Sequence, residues 1–174
     1  MKRPSKSFEI ALSAISCAVA TVFLVLGSFS PFLLATGYIV GCFALMVPLS
    51  KEFIWGNVLA FIGASILSFL LGGFNYWRLL PFVVFFGLHP LANFLQTKFR
   101  WNMIVCFIVK AAWFDCAMYL CWRFTFEMNV AVDWINQYIY YVIFIGGTLF
   151  FAVYDRMIFL CQKSVNAAVK RIRR

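Results

Sequence analysis

Charged side chains are scarce in this chain, and acidic ones are scarcest. Lysine, arginine, aspartate and glutamate make up 12% of the 174 residues, and only 6 residues are acidic. Hydrophobic residues account for 64% of the chain, and the mean hydropathy is +0.91. A soluble domain of this size lacks the interior volume to hide so much apolar surface. The composition therefore excludes a soluble domain and predicts one integral membrane domain that occupies residues 1–174.

Sequence signatures of catalysis and metal binding are also missing. The chain has one histidine, and it has no GxSxG, HExxH, Walker A or Rossmann motif. Its six cysteines all lie in apolar stretches and form no CxxC pair, which indicates small buried hydrophobic residues rather than metal ligands or disulfides. We therefore predict no enzymatic activity, no cofactor and no metal. The sequence also contains no soluble ATPase domain, so energised transport would need partner subunits.

The chain consists mainly of long apolar stretches. A membrane-spanning helix needs roughly 20 apolar residues, and six stretches of about that length are present. The predicted fold is an all-α integral membrane protein, a compact bundle of six transmembrane helices. The predicted spans are about 8–29, 32–49, 53–71, 76–96, 101–124 and 134–160, followed by a basic tail, 161–174.

Basic residues are distributed unevenly between the two ends of these spans. With the N-terminus inside, the cytoplasmic segments hold twelve lysines and arginines, whereas the outer loops hold only Arg78 and Arg123. This positive-inside bias predicts that both termini are cytoplasmic, in a multi-pass protein of the plasma membrane. The net charge of +9 is then explained by topology and by contact with anionic lipid headgroups, and no nucleic-acid partner is predicted. The tail is expected to form a short helix on the inner headgroups.

Two ionisable residues, Lys110 and Asp115, lie inside the fifth predicted span. Ionisable residues at that depth are costly and usually mark functional sites. Being five residues apart, they point about 140° apart around a helix. At about 1.5 Å per residue, Lys110 lies roughly 12 Å and Asp115 roughly 20 Å from the inner end. The spacing therefore predicts two levels, with Asp115 as the main polar anchor of a solute site in the outer half.

The single histidine, His89, is expected at the same depth as Lys110. Its span runs inward from Tyr76, which places it about seven residues from the inner end. His89, Asn93 and Lys110 are predicted to form one polar cluster below Asp115. A packing or hydrogen-bonding role is favoured for His89, because no second histidine is present to complete a metal site.

Aromatic residues gather near the predicted outer boundary, where most should belong to the interfacial belt. Trp122 shares a helical face with Asp115, and Trp113 shares one with Lys110. These two tryptophans and Arg78 are the further candidates for contact with a solute.

Small residues recur at helical spacing in the first and third spans. Such residues let helices approach closely in lipid, so each stripe could serve either internal packing or the docking of another membrane subunit. The stripes are Ala11, Ala14 and Ala18 in the first span, and Gly56, Ala60 and Ala64 in the third.

The layout of six short spans behind a small-residue first span resembles the substrate-binding S-components of energy-coupling factor transporters. Within ALSAISCAVA, Ala11 to Ala20, Ala14 and Ala18 resemble that family's AxxxA docking motif. The resemblance implies a vitamin-like or other small-molecule solute held in the outer half. It further implies docking to a membrane coupling subunit powered by cytoplasmic ATPases, and release of the solute by toppling of the bundle.

The leading hypothesis is therefore a solute-binding membrane subunit of an uptake transporter. Asp115, Lys110, Trp113, Trp122 and Arg78 are its predicted solute-binding residues. Two alternatives stay open. One is a membrane scaffold or assembly protein that recruits a partner through its small-residue faces. The other is a proton-coupled carrier with Asp115, His89 and Lys110 as a relay.

Overall fold

The computed structural model describes residues 6–126 and 137–171. Six helices in these ranges are long and apolar enough to cross a membrane, and no strand occurs in them. The predicted all-α architecture is confirmed at this level. The predicted start of the sixth span, 134, and the tail residues 172–174 lie outside the described ranges.

The first three helices are regular, whereas each of the last three contains a π-helical turn. The first three are Lys6–Phe29, Pro31–Leu49 and Ile54–Leu71. The fourth helix consists of Tyr76–Pro81, a π turn at Phe82–Phe86, and His89–Phe99. The fifth consists of Met103–Cys121 and a π turn at Trp122–Phe126. The sixth consists of Ile139–Tyr141, a π turn at Val142–Gly147, and Thr148–Arg171.

The sixth helix continues beyond the predicted end of its span. Thr148–Arg171 is a single α-helix, so no break at residue 160 separates a tail helix from it. Near its far end, the carbonyl oxygen of Val169 lies 3.5 Å from Lys51 Nζ in the turn between the second and third helices. The described part of the tail therefore continues the sixth helix, and its contact with the inner headgroups stays a prediction.

Local signals in the sequence account for the sharp turn between the fourth and fifth helices. Arg100 takes the left-handed conformation with φ of 53°, which reverses the chain. Asn102 then caps the fifth helix, because its Oδ1 accepts hydrogen bonds from the backbone N–H groups of Ile104 and Val105 at 2.9 and 3.3 Å. This turn and the turn at 50–53 lie at one end of the bundle, which carries Lys51, Lys98 and Arg100 and is called the basic end below.

The second helix lies at the centre of the bundle and packs against the first, third, fourth and sixth helices. Cys42, Leu45 and Met46 on this helix are fully buried. It crosses the first helix closely at Gly37, where an added Cβ would lie 2.7 Å from the backbone oxygen of Phe23. Gly37 and Gly41 stand at GxxxG spacing, and the close approach at Gly37 indicates that this motif serves internal packing.

The two small-residue stripes have different environments. In the third helix, Ala60 and Ala64 are buried, and a Cβ added to Gly56 would lie 2.3 Å from Ser13 Oγ in the first helix. This stripe therefore packs inside the molecule. By contrast, the stripe of Ala11, Ala14 and Ala18 is exposed on the outward side of the first helix.

The outward side of the bundle is strongly apolar. Large hydrophobic side chains on every one of the six helices are more than a third exposed. Such a surface would aggregate in water and fits a multi-pass membrane protein whose outer side contacts acyl chains. Representative exposed residues are Ile10, Phe32, Leu59, Trp77, Ile104 and Val153.

Candidate functional site

Three helices bring polar side chains together around one carboxylate, that of Asp155. Lys110 Nζ donates to Asp155 Oδ1 at 2.7 Å and to Asn93 Oδ1 at 2.7 Å. His89 Nε2 lies 3.0 Å from the same Asp155 oxygen. His89 and Asn93 come from the fourth helix, Lys110 from the fifth and Asp155 from the sixth. We call these four residues the Asp155 cluster.

The charges of the Asp155 cluster compensate one another. All four residues are buried, and the ammonium of Lys110 and the carboxylate of Asp155 form a salt bridge. A buried charge that is paired and hydrogen-bonded avoids most of the penalty of isolation. The Lys110 ammonium also lies 4.9 Å from the centre of the Phe159 ring, where a cation is favoured.

Two polar atoms of the Asp155 cluster remain without hydrogen-bond partners. Because a carboxylate only accepts hydrogen bonds, His89 Nε2 is the donor to Asp155. His89 Nδ1 and Asn93 Nδ2 are both buried and have no partner among the described residues. The ring of His89 is 0% exposed and lies 5.1 Å from that of Phe85 and 5.7 Å from that of Phe151.

The interruption of the fourth helix places His89 at this position. Phe82–Phe86 forms a π turn, whose residues Phe82, Phe85 and Phe86 are buried. The second α-helical part of the fourth helix then begins at His89, with Pro90 in its first turn. Proline fits there because the first N–H groups of a helix have no internal partner. π turns are often found at functional sites.

Asp115 occupies a second and separate environment. Its Oδ2 accepts a hydrogen bond of 2.8 Å from Thr148 Oγ1 in the sixth helix. Its Oδ1 is buried without a partner, and no salt bridge joins Asp115 to a cation within residues 6–126 and 137–171. We call Asp115 and Thr148, with the adjacent backbone of Gly147, the Asp115 level.

The backbone of the sixth helix approaches Asp115 closely. A Cβ added to Gly147 would lie 3.1 Å from Asp115 Oδ1 and 3.4 Å from the ring of Phe114. Gly147 is the last residue of the π turn Val142–Gly147 and directly precedes Thr148. The absence of a side chain at this position therefore lets the carboxylate lie against the main chain.

The other predicted solute-binding residues are dispersed. Trp113 packs its ring against Phe85 at 4.9 Å and lines a crevice beside the fourth helix. Trp122 lies near the rings of Tyr119 and Tyr140, and its buried Nε1 has no partner in the part of the chain that the structure describes. The guanidinium of Arg78 donates to the backbone oxygen of Ser28, so it ties the fourth helix to the end of the first. The prediction that these residues share one site with Asp115 stays a prediction.

Asp155 is the central residue that sequence reasoning missed. It lies within the apolar run Leu149–Leu160, next to Arg156, which is one of the twelve basic residues that the positive-inside prediction counts as cytoplasmic. The signal was nevertheless present, because Lys110 at membrane depth requires a buried acid on another helix. Thr148, the partner of Asp115, and Asp155 are seven residues apart on the sixth helix. Seven residues are close to two helical turns, so Thr148 and Asp155 lie on similar sides of that helix.

The two acidic sites differ in what they can do chemically. The Asp155 cluster has an internal cation, whereas the Asp115 level has an unpartnered acceptor that suits a cation or a hydrogen-bond donor. No group of three histidine, cysteine or acidic residues that could hold a metal occurs in the part of the chain that the structure describes. The chain matches no protein-family model, no curated protein and no solved structure.

Proposed function

We propose that this protein is the solute-binding membrane subunit of an uptake transporter. The observation that carries the proposal is the Asp115 carboxylate, which is 7% exposed and whose Oδ1 has no partner within residues 6–126 and 137–171. A buried acid without a cation is expensive to keep in a membrane protein unless it has a use. Binding of a solute supplies the missing partner and offsets that cost.

The chemistry of the Asp115 level defines the class of solute. Asp115 Oδ1 is an acceptor, and Thr148 Oγ1 already donates to the other carboxylate oxygen. The site therefore favours a small molecule with a cationic or hydrogen-bond-donating group. The Gly147 backbone lies close to Asp115 Oδ1. The solute group that binds this oxygen must therefore be small, such as an ammonium, an amide N–H or a hydroxyl.

The positive-inside distribution supports an orientation in which the basic end faces the cytoplasm. Asp115 then lies farther from the cytoplasm than the Asp155 cluster, in keeping with capture of solute from outside. The exposed stripe of Ala11, Ala14 and Ala18 offers a surface on which a membrane coupling subunit could pack closely. Cytoplasmic ATPases bound to that subunit would supply the energy.

Mass spectrometry of small molecules retained by the protein in lipid nanodiscs tests the solute site. Wild-type protein is expected to retain a cationic or donor-rich molecule that Asp115→Asn loses. Glu52→Gln is the matched control, because it removes an acidic charge that pairs with Lys98 at 3.1 Å on the exposed basic end. Equal retention by wild type and Asp115→Asn would contradict the proposal.

Affinity purification from native membranes tests the partner. Co-purification of ATPases and a coupling subunit supports uptake, and Ala14→Leu together with Ala18→Leu should abolish it without loss of solute. The exposed Val22→Leu is the control on the same helix. Recovery of an envelope complex without ATPases would instead favour the scaffold alternative.

A proton-coupled carrier is the second candidate, and the contacts of Asp155 favour it. Lys110 and His89 both contact Asp155 Oδ1, and chains of ionisable residues inside membranes serve as proton relays. Purified protein in liposomes with an imposed pH gradient distinguishes the candidates. Uptake by the protein alone, lost in His89→Phe, would support the carrier and contradict the need for ATPases.

A further inference from the structure

The fourth and fifth helices leave a wedge-shaped crevice between them near the basic end. Its volume is about 520 Å³, within the usual range for small-molecule sites. Leu95 of the fourth helix and Val105, Val109 and Trp113 of the fifth line it. Val105 and Val109 are 58% and 62% exposed, so the crevice opens sideways where the bundle faces acyl chains.

The exposed surface of this wedge is almost entirely apolar. Lys110 contributes its aliphatic stem, because its ammonium is bound by Asn93 and Asp155. At the basic end the wedge is lined by Gln96 and Asn102. Gln96 is 6% exposed, and its Oε1 is buried without a hydrogen-bond partner. A buried amide oxygen in this state indicates a missing donor.

Two basic residues lie close in the chain to Asn102, at the basic end of the wedge. Arg100 is exposed in the same turn as Asn102, and no ion pair involves it within the described ranges. Lys98 lies one turn earlier and pairs with Glu52. Basic residues lie at the end of the bundle, and the apolar walls of the wedge extend toward its middle. A phospholipid in the adjacent leaflet has the matching arrangement, with an anionic headgroup at the surface and acyl chains below it.

We propose that the wedge binds one phospholipid with an anionic headgroup from the leaflet at the basic end. One acyl chain lies between the fourth and fifth helices and reaches Trp113. The phosphate lies beside Arg100, and a headgroup hydroxyl donates to Gln96 Oε1. A glycerol headgroup, as in phosphatidylglycerol, supplies both the negative charge and the donor. This site is independent of the solute site at Asp115.

Native mass spectrometry tests the acyl-chain part. Protein is extracted with mild detergent from nanodiscs of phosphatidylglycerol and phosphatidylcholine in equal amounts, and the lipids that remain bound are counted. Wild type should retain one phosphatidylglycerol. Val109→Trp fills the wedge and should lose it, whereas Ile108→Trp should keep it. Ile108 is a matched control, because it is 60% exposed on the same helix but does not line the wedge.

A second pair of variants tests the headgroup. Arg100→Gln should lower the preference for phosphatidylglycerol over phosphatidylcholine by about fivefold, the usual effect of one basic residue near an anionic surface. Lys163→Gln, which removes an exposed cation elsewhere on the basic end, should leave the preference unchanged. Gln96→Leu should reduce the retention of phosphatidylglycerol and should not increase the retention of phosphatidylcholine.

Several results would overturn the proposal. Wild type could retain no lipid, Val109→Trp could retain as much as wild type, or Ile108→Trp could lose as much as Val109→Trp. Equal effects of Arg100→Gln and Lys163→Gln would show general surface attraction instead of a headgroup site. If Val109→Trp does not give a monodisperse protein, Val105→Phe fills the same crevice with a smaller change.

Discussion

Asp155 and Asp115 are both buried acids between the fifth and sixth helices, but their surroundings differ. Asp155 shares one oxygen between Lys110 and His89, so its charge is balanced inside the protein. Asp115 has a single hydrogen bond from Thr148 and an unpartnered oxygen. Burial alone therefore does not identify a functional acid. The balance of charge around the carboxylate separates an acid that holds helices together from one that, under the proposed function, binds a solute.

The comparison also explains why Lys110 and Asp115, which are only five residues apart in the sequence, do not pair with each other. Lys110 reaches the fourth and sixth helices, where it contacts Asn93 and Asp155. With its cation engaged there, Lys110 links three helices and is removed from the Asp115 level. Loss of either level should therefore have different consequences for stability and for binding.

The largest expected effect is that of Lys110→Met. This change removes the cation that balances the buried Asp155 carboxylate, and breaking a buried pair in this way usually costs about 3–5 kcal/mol. The free energy of unfolding, measured by denaturant titration in detergent, should fall by that amount. Lys110→Met combined with Asp155→Leu should recover much of the loss, because apolar residues can replace a buried pair. If Lys110→Met unfolds at the same denaturant concentration as wild type, Lys110 does not balance the charge of Asp155.

His89→Phe should have an intermediate effect. The phenyl ring keeps the packing against Phe85 and Phe151, while the hydrogen bond to Asp155 is lost, and a bond to a charged group is worth about 1.5–3 kcal/mol. Removal of the unpartnered Nδ1 offsets part of this loss. The same unfolding measurement should therefore place His89→Phe between wild type and Lys110→Met. A cost equal to that of Lys110→Met would show that His89 carries the charge balance.

Asp115→Asn should change stability by less than about 1 kcal/mol, since Asn keeps an acceptor for Thr148 and no internal cation loses its partner. Asp155→Asn should cost more, because Lys110 then loses its anion. Thermal unfolding of the two variants in the same detergent checks the difference. If Asp115→Asn is the more destabilised variant, the Asp115 carboxylate is balanced by an internal partner.

Gly147→Ala should have the smallest effect on stability and a measurable effect on binding. The new methyl group would lie 3.1 Å from Asp115 Oδ1, so the carboxylate must shift by a few tenths of an ångström. We expect a stability change within about 0.5 kcal/mol, as for substitutions outside the core, and weaker retention of solute in nanodiscs. Gly146→Ala is the control, because a Cβ at that position meets no atom within 4 Å. Equal retention by both variants would place the solute away from Oδ1.

Length and apolar composition were sufficient to predict the six helices, because a span must be about 20 residues long and its backbone must bond to itself. They also predicted that Asn93 and Lys110 lie at one level, where the two side chains are hydrogen-bonded. Asp155 was not found, because a charged pair Asp155-Arg156 near the end of an apolar run resembles a membrane boundary. Its role depends on the position of the sixth helix relative to the fifth, which periodicity within one helix does not contain.

The π turn at Phe82–Phe86 makes the register of the fourth helix depend on one residue. A π turn closes i to i+5 hydrogen bonds, such as that from Gly87 N–H to the oxygen of Phe82 at 2.8 Å, so it holds one residue more than an α-helical turn. Removal of that residue would rotate every later side chain by about 100°. His89 and Asn93 would then turn away from Asp155 and Lys110 together. The electrostatic balance of the bundle thus depends on an insertion of one residue in an otherwise apolar stretch.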